Sequence, residues 1–194
     1  MLNNEAGLQA HFVKHLASVF TARVQDVDRR IFVEPPFKIL NEDKEVELYI
    51  PDIVICSARK IIGIVELKYA PRGKPKFKPD IRKLCHFFAH RKEDIELRDE
   101  RYLGPTKPST FRFSRDLLLV YAAVYDGALD GWKNGVRKYM AEVEGEGAEK
   151  SLFVLGAGTK ADAQACCWSM AARDRNPSSV STQSFLGEAS HERD

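Results

Sequence analysis

Apolar residues recur at spacings of three and four through Leu8, Phe12, His15, Leu16, Val19 and Phe20, and this period predicts a helix over 5–20, with Asn3 or Asn4 available to cap it. Charged residues interrupt the pattern over 23–30. A short strand is expected over 31–33, its pairing limited by Pro35-Pro36, with 37–40 continuing it beyond the bend and 41–43 forming a turn. Residues 46–55 are rich in β-branched side chains and predict a stronger strand, 57–60 a tight hairpin connection, and 61–69 a strand so continuously apolar that both of its faces should be buried. A Gly- and Pro-punctuated basic loop follows over 71–79. Pro79 then suits the first turn of a helix running to about 92, with Ile81, Leu84, Cys85 and Phe88 on its apolar side.

Beyond a loop over 98–113, residues 116–125 predict a buried strand and 129–143 a helix whose Trp132, Val136, Tyr139 and Met140 face the sheet. A short strand over 151–155 is expected to stop at Gly156-Ala157-Gly158, and 165–170 supplies the last one. Helix, three strands in a meander, helix, strand, helix, strand describes an α/β fold with a mixed central sheet flanked by helices. A length of 194 residues suits one domain over 1–172, and the polar composition of 173–194 suggests a mobile tail.

Composition changes this picture little. With 44% hydrophobic and 30% charged residues the chain reads as a soluble protein, and no stretch approaches the ~20 apolar residues of a membrane span. The first nine residues lack the basic and apolar regions of a signal peptide, so a cytoplasmic location is expected. Cys56, Cys85, Cys166 and Cys167 have none of the spacings of a zinc site and are expected to be free thiols. Net charge is only +2, but its distribution is uneven. Between Lys68 and Lys92 nine Lys or Arg residues stand against one acid, Asp80, and five acids follow between Glu93 and Glu100. The basic run is a solvated face or a phosphate-binding surface.

The candidate chemistry lies between Tyr49 and Lys68. Strand alternation puts Ile62, Ile64, Glu66 and Lys68 on one side, and Val46, Leu48, Ile50 and Asp52 repeat the progression from apolar to charged. A hairpin centred near Arg59 brings Asp52 opposite Glu66. Paired carboxylates are costly to bury, and they call for a raised pKa or a cation. Their oxygens suit Mg²⁺ or Mn²⁺, which polarises a phosphodiester oxygen and activates water, while Lys68 orients that water or holds the transition-state oxygens. Exposed cross-strand pairing of Glu66 with Lys68, with Asp52 capping a turn, is the plainer alternative.

Pro51-Asp52, thirteen residues, then Glu66-Leu67-Lys68 resembles the PD-(D/E)xK motif of restriction-endonuclease-like nucleases, over roughly residues 3–125. The resemblance implies an αβββαβ core. It also implies a metal held by Asp52, Glu66 and the Leu67 carbonyl, a water assisted by Lys68, and a further acid at Glu5. The basic helix after the motif is expected to face substrate, with Lys83 its leading residue. The function implied is a Mg²⁺-dependent DNA endonuclease, as a homodimer or with a partner protein, in which Lys74, Lys76, Lys78, Arg82 and Lys83 meet phosphate. The alternative is a catalytically silent module of the same fold that binds DNA or assembles a complex through 98–115.

Several other features have modest readings. His86 and His90, one turn apart, fit a polar helix face better than a metal pair, and His11 and His15 read likewise. Phe111 and Phe113 alternate with Arg112 and Arg115 as in a base-stacking surface, or as in a strand with one face buried. Gly156-Ala157-Gly158 matches neither a dinucleotide fingerprint nor a P-loop, Gly63 is expected at a close-packing position, and Asp126 suits a turn before Gly127.

Overall fold

A computed structural model describes residues 4–23, 28–40, 46–97, 109–126, 134–136, 138–139, 148–158 and 165–169. The predicted first helix is α1 (Glu5–Arg23), opened by the Asn4 side chain, which accepts the Gly7 N–H at 2.7 Å. Strands β1 (Arg29–Val33), β4 (Ile53–Ser57) and β5 (Lys60–Ala70) form an antiparallel meander, with Ile31 opposite Ile55 and Ile53 opposite Val65. The connection between β4 and β5 is the tight hairpin the sequence predicts, and Ala58 takes a left-handed φ of 51° in it.

The other strands depart from a simple meander. β2 (Phe37–Leu40) and β3 (Val46–Tyr49) form a hairpin on the far flank of the sheet, where β2 pairs with β6 (Asp94–Leu97). Two expectations are thereby corrected: β2 does not extend β1, and 46–55 is not one strand. Pro35-Pro36 and Pro51 remove ladder donors where the chain must leave one neighbour for another. β6 was concealed in the acidic run, where alternation of Ile95 and Leu97 with Asp94 and Glu96 puts two fully buried side chains inward and two acids outward.

The long strand β7 (Ser109–Tyr125) begins inside the segment expected to be a loop. Its first part pairs with β6, and its second lies parallel to both β5 and β8 (Leu152–Gly158). Between Ile61 and Gly63, two steps along β5 correspond to five along β7, from Phe113 to Leu118. Against β4, one step from Ile55 to Cys56 spans two of β5, from Gly63 to Ile61. This bulge at Ile62 swaps the faces of β5 (Ile61 and Ile64 belong to one core, Ile62 and Val65 to the other), so Ile62 does not share a face with Ile64 as simple alternation implied. β8 pairs throughout with β7 and, up to Ala157, with β9 (Ala165–Ser169), so Gly156-Ala157-Gly158 lies within the strand and does not end it.

The result is a mixed α/β fold, with a nine-stranded sheet among the described residues and helices on both faces. One core packs Ile53, Ile55, Val65, Leu67, Val120 and Ala122 under Leu8, Phe12, Val13, Leu16 and Phe20 of α1. Within the expected apolar stripe of α1, His15 and Val19 are exposed instead. The larger core lies under α2 (Phe77–Ala89), through Ile81, Leu84, Cys85, Phe87 and Phe88, and takes in Val136 and Tyr139 from the described part of the expected 129–143 helix. α2 starts two residues before Pro79, which keeps its first-turn place. Cys56 and Cys85 are buried free thiols, as expected, and burial pushes the Cys56 thiol up to about 12. The segment 98–108, Trp132, Met140 and the 173–194 tail lie outside the described residues. No described helix is long and apolar enough to cross a membrane.

A Cβ at Gly63 would meet Ile55 Cδ1 at 3.4 Å and the Leu118 carbonyl at 3.7 Å, which is ordinary contact and corrects the expectation of close packing. Gly63→Ala is therefore expected to change unfolding free energy by less than about 1 kcal/mol, measured by urea titration.

Candidate functional site

Asp52 lies in the short break that Pro51 opens between β3 and β4. The Ile53–Val65 pair ends the β4–β5 ladder, and the next step places Asp52 across from Glu66. The turn itself pairs Ser57 with Lys60, not symmetrically about Arg59, and the register shift between Ile55 and Cys56 supplies the one-residue difference. Leu48 and Ile50, by contrast, are 59% and 50% exposed, so the expected progression from core to site along 46–52 is not formed. Three backbone-directed contacts hold Asp52 in place. Its Oδ2 accepts the Leu67 N–H at 2.5 Å, and its carbonyl accepts the Glu34 N–H at 2.9 Å and Gln9 Nε2 at 3.0 Å. Burial raises the Asp52 pKa, against the opposing effects of the Leu67 N–H and the Lys83 and Lys68 ammonium groups.

Glu66 is the one buried charged residue among those described, 3% exposed. Burial pushes its carboxyl up to about 8, although Lys83 Nζ stands 2.8 Å from Oε1 and lowers it, while Asp52 and Asp80 raise it further. Lys83 also donates to the Ile50 carbonyl at 2.5 Å, a group exposed by the same Pro51 break. Opposite Glu66 in the β5–β7 register is Tyr121, fully buried, whose hydroxyl pKa is raised by burial and by Asp80, Glu5 and Glu66.

Lys68 and Glu5 close the rim. Lys68 Nζ is 3.7 Å from Glu5 Oε2, which also accepts the Tyr69 N–H at 3.2 Å, so the first turn of α1 is tied to the end of β5. The partner of Lys68 is thus Glu5, and the cross-strand Glu66–Lys68 pair of the plainer alternative is replaced by Glu66–Lys83.

The structure therefore brings together Asp52, Glu66, Leu67, Lys68, Glu5 and Lys83. Lys74, Lys76, Lys78 and Arg82 remain exposed on the loop and the outer side of α2, with the Lys78 ammonium 5.1 Å from the Tyr139 ring. Three residues were missed. Asp80 precedes Lys83 by three positions, which on a helix is the same side, and Gln9 follows Glu5 by four; helical spacing could have found both. Nothing in the sequence marks Tyr121. Asp80 has a carboxyl raised by burial, opposed by Lys68 and Lys83, and its Oδ2 is buried without a hydrogen-bond partner among the described residues.

Counted as ions, Glu5, Asp52, Glu66 and Asp80 face Lys68 and Lys83, a formal surplus of two negative charges. Asp52, Glu66 and the Leu67 carbonyl are hard oxygen donors, and Mg²⁺ is commonly held by one or two carboxylates plus water and phosphate oxygens. Among the described residues no group of three or more His, Cys, Asp or Glu side chains is arranged to hold a metal ion, so a cation here would rely on such a sparse set.

The remaining candidates resolve structurally. Phe111 and Phe113 are 1% and 9% exposed and cannot stack on bases, while Arg112 pairs with Asp94 at 2.7 Å. The His86 and His90 rings meet at a tilt of 46° with centroids 4.2 Å apart, and His90 Nδ1 is 2.6 Å from Glu93 Oε1. In comparisons with known proteins, no protein-family model matches the chain, and neither a curated protein nor a solved structure matches it significantly.

Proposed function

We propose that this chain is a Mg²⁺-dependent DNA endonuclease of the restriction-endonuclease-like, PD-(D/E)xK type. The observation that carries the reading is the meeting of Asp52 and Glu66 at one end of two adjacent strands, both raised by burial, in a site where four carboxyl groups face two lysines. Such an arrangement is costly for a fold to keep without a use for the charge. Mg²⁺, or Mn²⁺ in its place, when held by Asp52, Glu66 and the Leu67 carbonyl, supplies Lewis-acid polarisation of the phosphodiester and a more acidic water. Lys68, oriented by Glu5, holds the developing charge on phosphate oxygens or directs the attacking water. The Leu67 N–H keeps one Asp52 oxygen fixed, leaving the other for the site.

The direct test is cleavage of plasmid, linear duplex, single-stranded and branched DNA with Mg²⁺ or Mn²⁺, with Lys68→Ala as control. The Lys83–Glu66 ion pair favours a second reading, since it already satisfies part of the buried charge: a silent module of this fold that binds DNA without cutting it. DNA binding with no cleavage under either cation, unchanged by Lys68→Ala, selects that reading.

The exposed Lys74, Lys76, Lys78 and Arg82 form the proposed phosphate-facing surface, either alone or extended by a second copy or a partner protein. Replacing each with Gln is expected to weaken DNA binding uniformly across sequences. For each true contact, the slope of log affinity against log salt should fall by about one. Fluorescence anisotropy at several salt concentrations measures it, and an unchanged slope removes that surface from the reading.

A further inference from the structure

We infer that Lys83 is a resident counter-ion that a divalent cation must displace from Glu66, and that Asp80 receives the displaced ammonium. This rests on the metal-site reading above and adds a function for two residues of α2. Lys83 holds the buried Glu66 carboxylate at 2.8 Å and is anchored to the Ile50 carbonyl, so its ammonium lies beside an oxygen that a cation on Glu66 would use. The Lys side chain is compact in charge and flexible in its four-carbon stem, which suits movement between two acceptors. A divalent ion on Glu66 would repel it. Asp80 is three residues earlier on the same side of α2, electrostatically coupled to Lys83, and its buried Oδ2 has no hydrogen-bond partner among the described residues. A second buried carboxylate oxygen without a hydrogen bond among the described residues, one helical turn from Lys83, is the acceptor a two-position lysine requires. Glu66 thus remains neutralised in both states, by Lys83 or by the cation. Lys83 is a positioning residue here, acting on the substrate only through Glu66.

The test is calorimetric titration of Mg²⁺ alone, without DNA, into the full chain and into Lys83→Met, Asp80→Asn and the double variant, at about pH 9 so that protons compete less for Glu66. Removing the competitor in Lys83→Met should raise Mg²⁺ affinity by on the order of tenfold. Asp80→Asn should lower it several-fold where Lys83 is present and have no effect in the Lys83→Met background. A merely structural Lys83 would not produce a gain in affinity. Loss of affinity in Lys83→Met overturns the inference. So does an Asp80→Asn effect of equal size in both backgrounds, which identifies Asp80 as a direct ligand. Equal Mg²⁺ binding by all four proteins overturns the inference alone and leaves the metal-site reading standing. No binding by any of them, with melting profiles intact, overturns both. A crystal structure with Mg²⁺ gives a second measurement: Lys83 Nζ is expected to have left Glu66 for Asp80, and its retention on Glu66 beside a bound ion refutes the exchange.

Discussion

Asp52→Asn is expected to lower Mg²⁺-dependent DNA cleavage by on the order of 10³-fold while leaving the fold intact. The amide keeps the shape of the carboxylate and an oxygen that still accepts the Leu67 N–H, so the contact between β5 and the Pro51 break survives. What it loses is the charge that attracts a cation. Lys68→Ala is expected to fall by about 10²-fold or more, because its ammonium would stabilise charge that develops only during reaction. Glu5→Gln should cost less, on the order of tenfold, since Glu5 is exposed and acts through Lys68. Single-turnover cleavage with matched thermal melts checks all three. Cleavage by Asp52→Asn at the wild-type rate removes the proposed catalytic arrangement.

The second large effect is on stability, and its sign follows from Glu66. Its carboxyl titrates near 4.5 ordinarily and at about 8 when buried in the folded chain, because burial outweighs the help from Lys83. Between those two values the folded state binds more protons than the unfolded state, so folding is progressively weakened as pH rises through that window. A single group contributes at most about 1.4 kcal/mol per pH unit, so the difference between pH 5 and pH 9 attributable to Glu66 is on the order of several kcal/mol. Asp52 and Asp80, also raised, act in the same direction. Glu66→Gln should therefore be more stable than wild type at pH 9 and nearly equal to it at pH 5, by urea unfolding in the presence of a chelator. Mg²⁺ at pH 9 should restore wild-type stability by mass action, about 2.7 kcal/mol at a hundredfold excess over Kd, and do little for Glu66→Gln. A Glu66→Gln protein less stable than wild type at pH 9 would mean that the Lys83 pair more than offsets burial. The charge that weakens the fold is the charge that would hold a cation, a trade between stability and activity confined to one side chain.

How much of this site could be read in advance follows from how local each feature is. The 57–60 turn places β4 beside β5 and brings Asp52 to the end of the ladder near Glu66, but plain alternation from the Ser57–Lys60 pair would set it opposite Val65. The register shift between Ile55 and Cys56, which no local pattern marks, moves it to Glu66, whereas α1 was legible from its apolar spacing. The fate of the 46–55 segment was not. Val46 to Tyr49 and Ile53 to Ser57 lie in one stretch that reads as a single strand, yet one pairs with β2 and the other with β1 and β5. Nothing in the composition of either stretch states its partner. The acidic run hid β6 for a related reason: with only two inward positions, Ile95 and Leu97, its alternation is too short to stand out from a charged loop.

The sequence by itself determined α1, α2, the buried β5 strand and the place of the β4–β5 turn, because a period of 3.6, a continuous apolar run and a tight hairpin are properties of neighbouring residues. It therefore placed the motif carboxylates at one end of two strands. Only the tertiary structure decided what surrounds them. Packing α2 across the larger core carries Asp80 and Lys83 from the basic segment to Glu66, and packing α1 on the opposite face carries Glu5 to Lys68 and Gln9 to Asp52. Those meetings join residues up to 64 positions apart, as in the Glu5–Tyr69 hydrogen bond. They depend on which apolar faces bury against which, and no local pattern of charge encodes that choice.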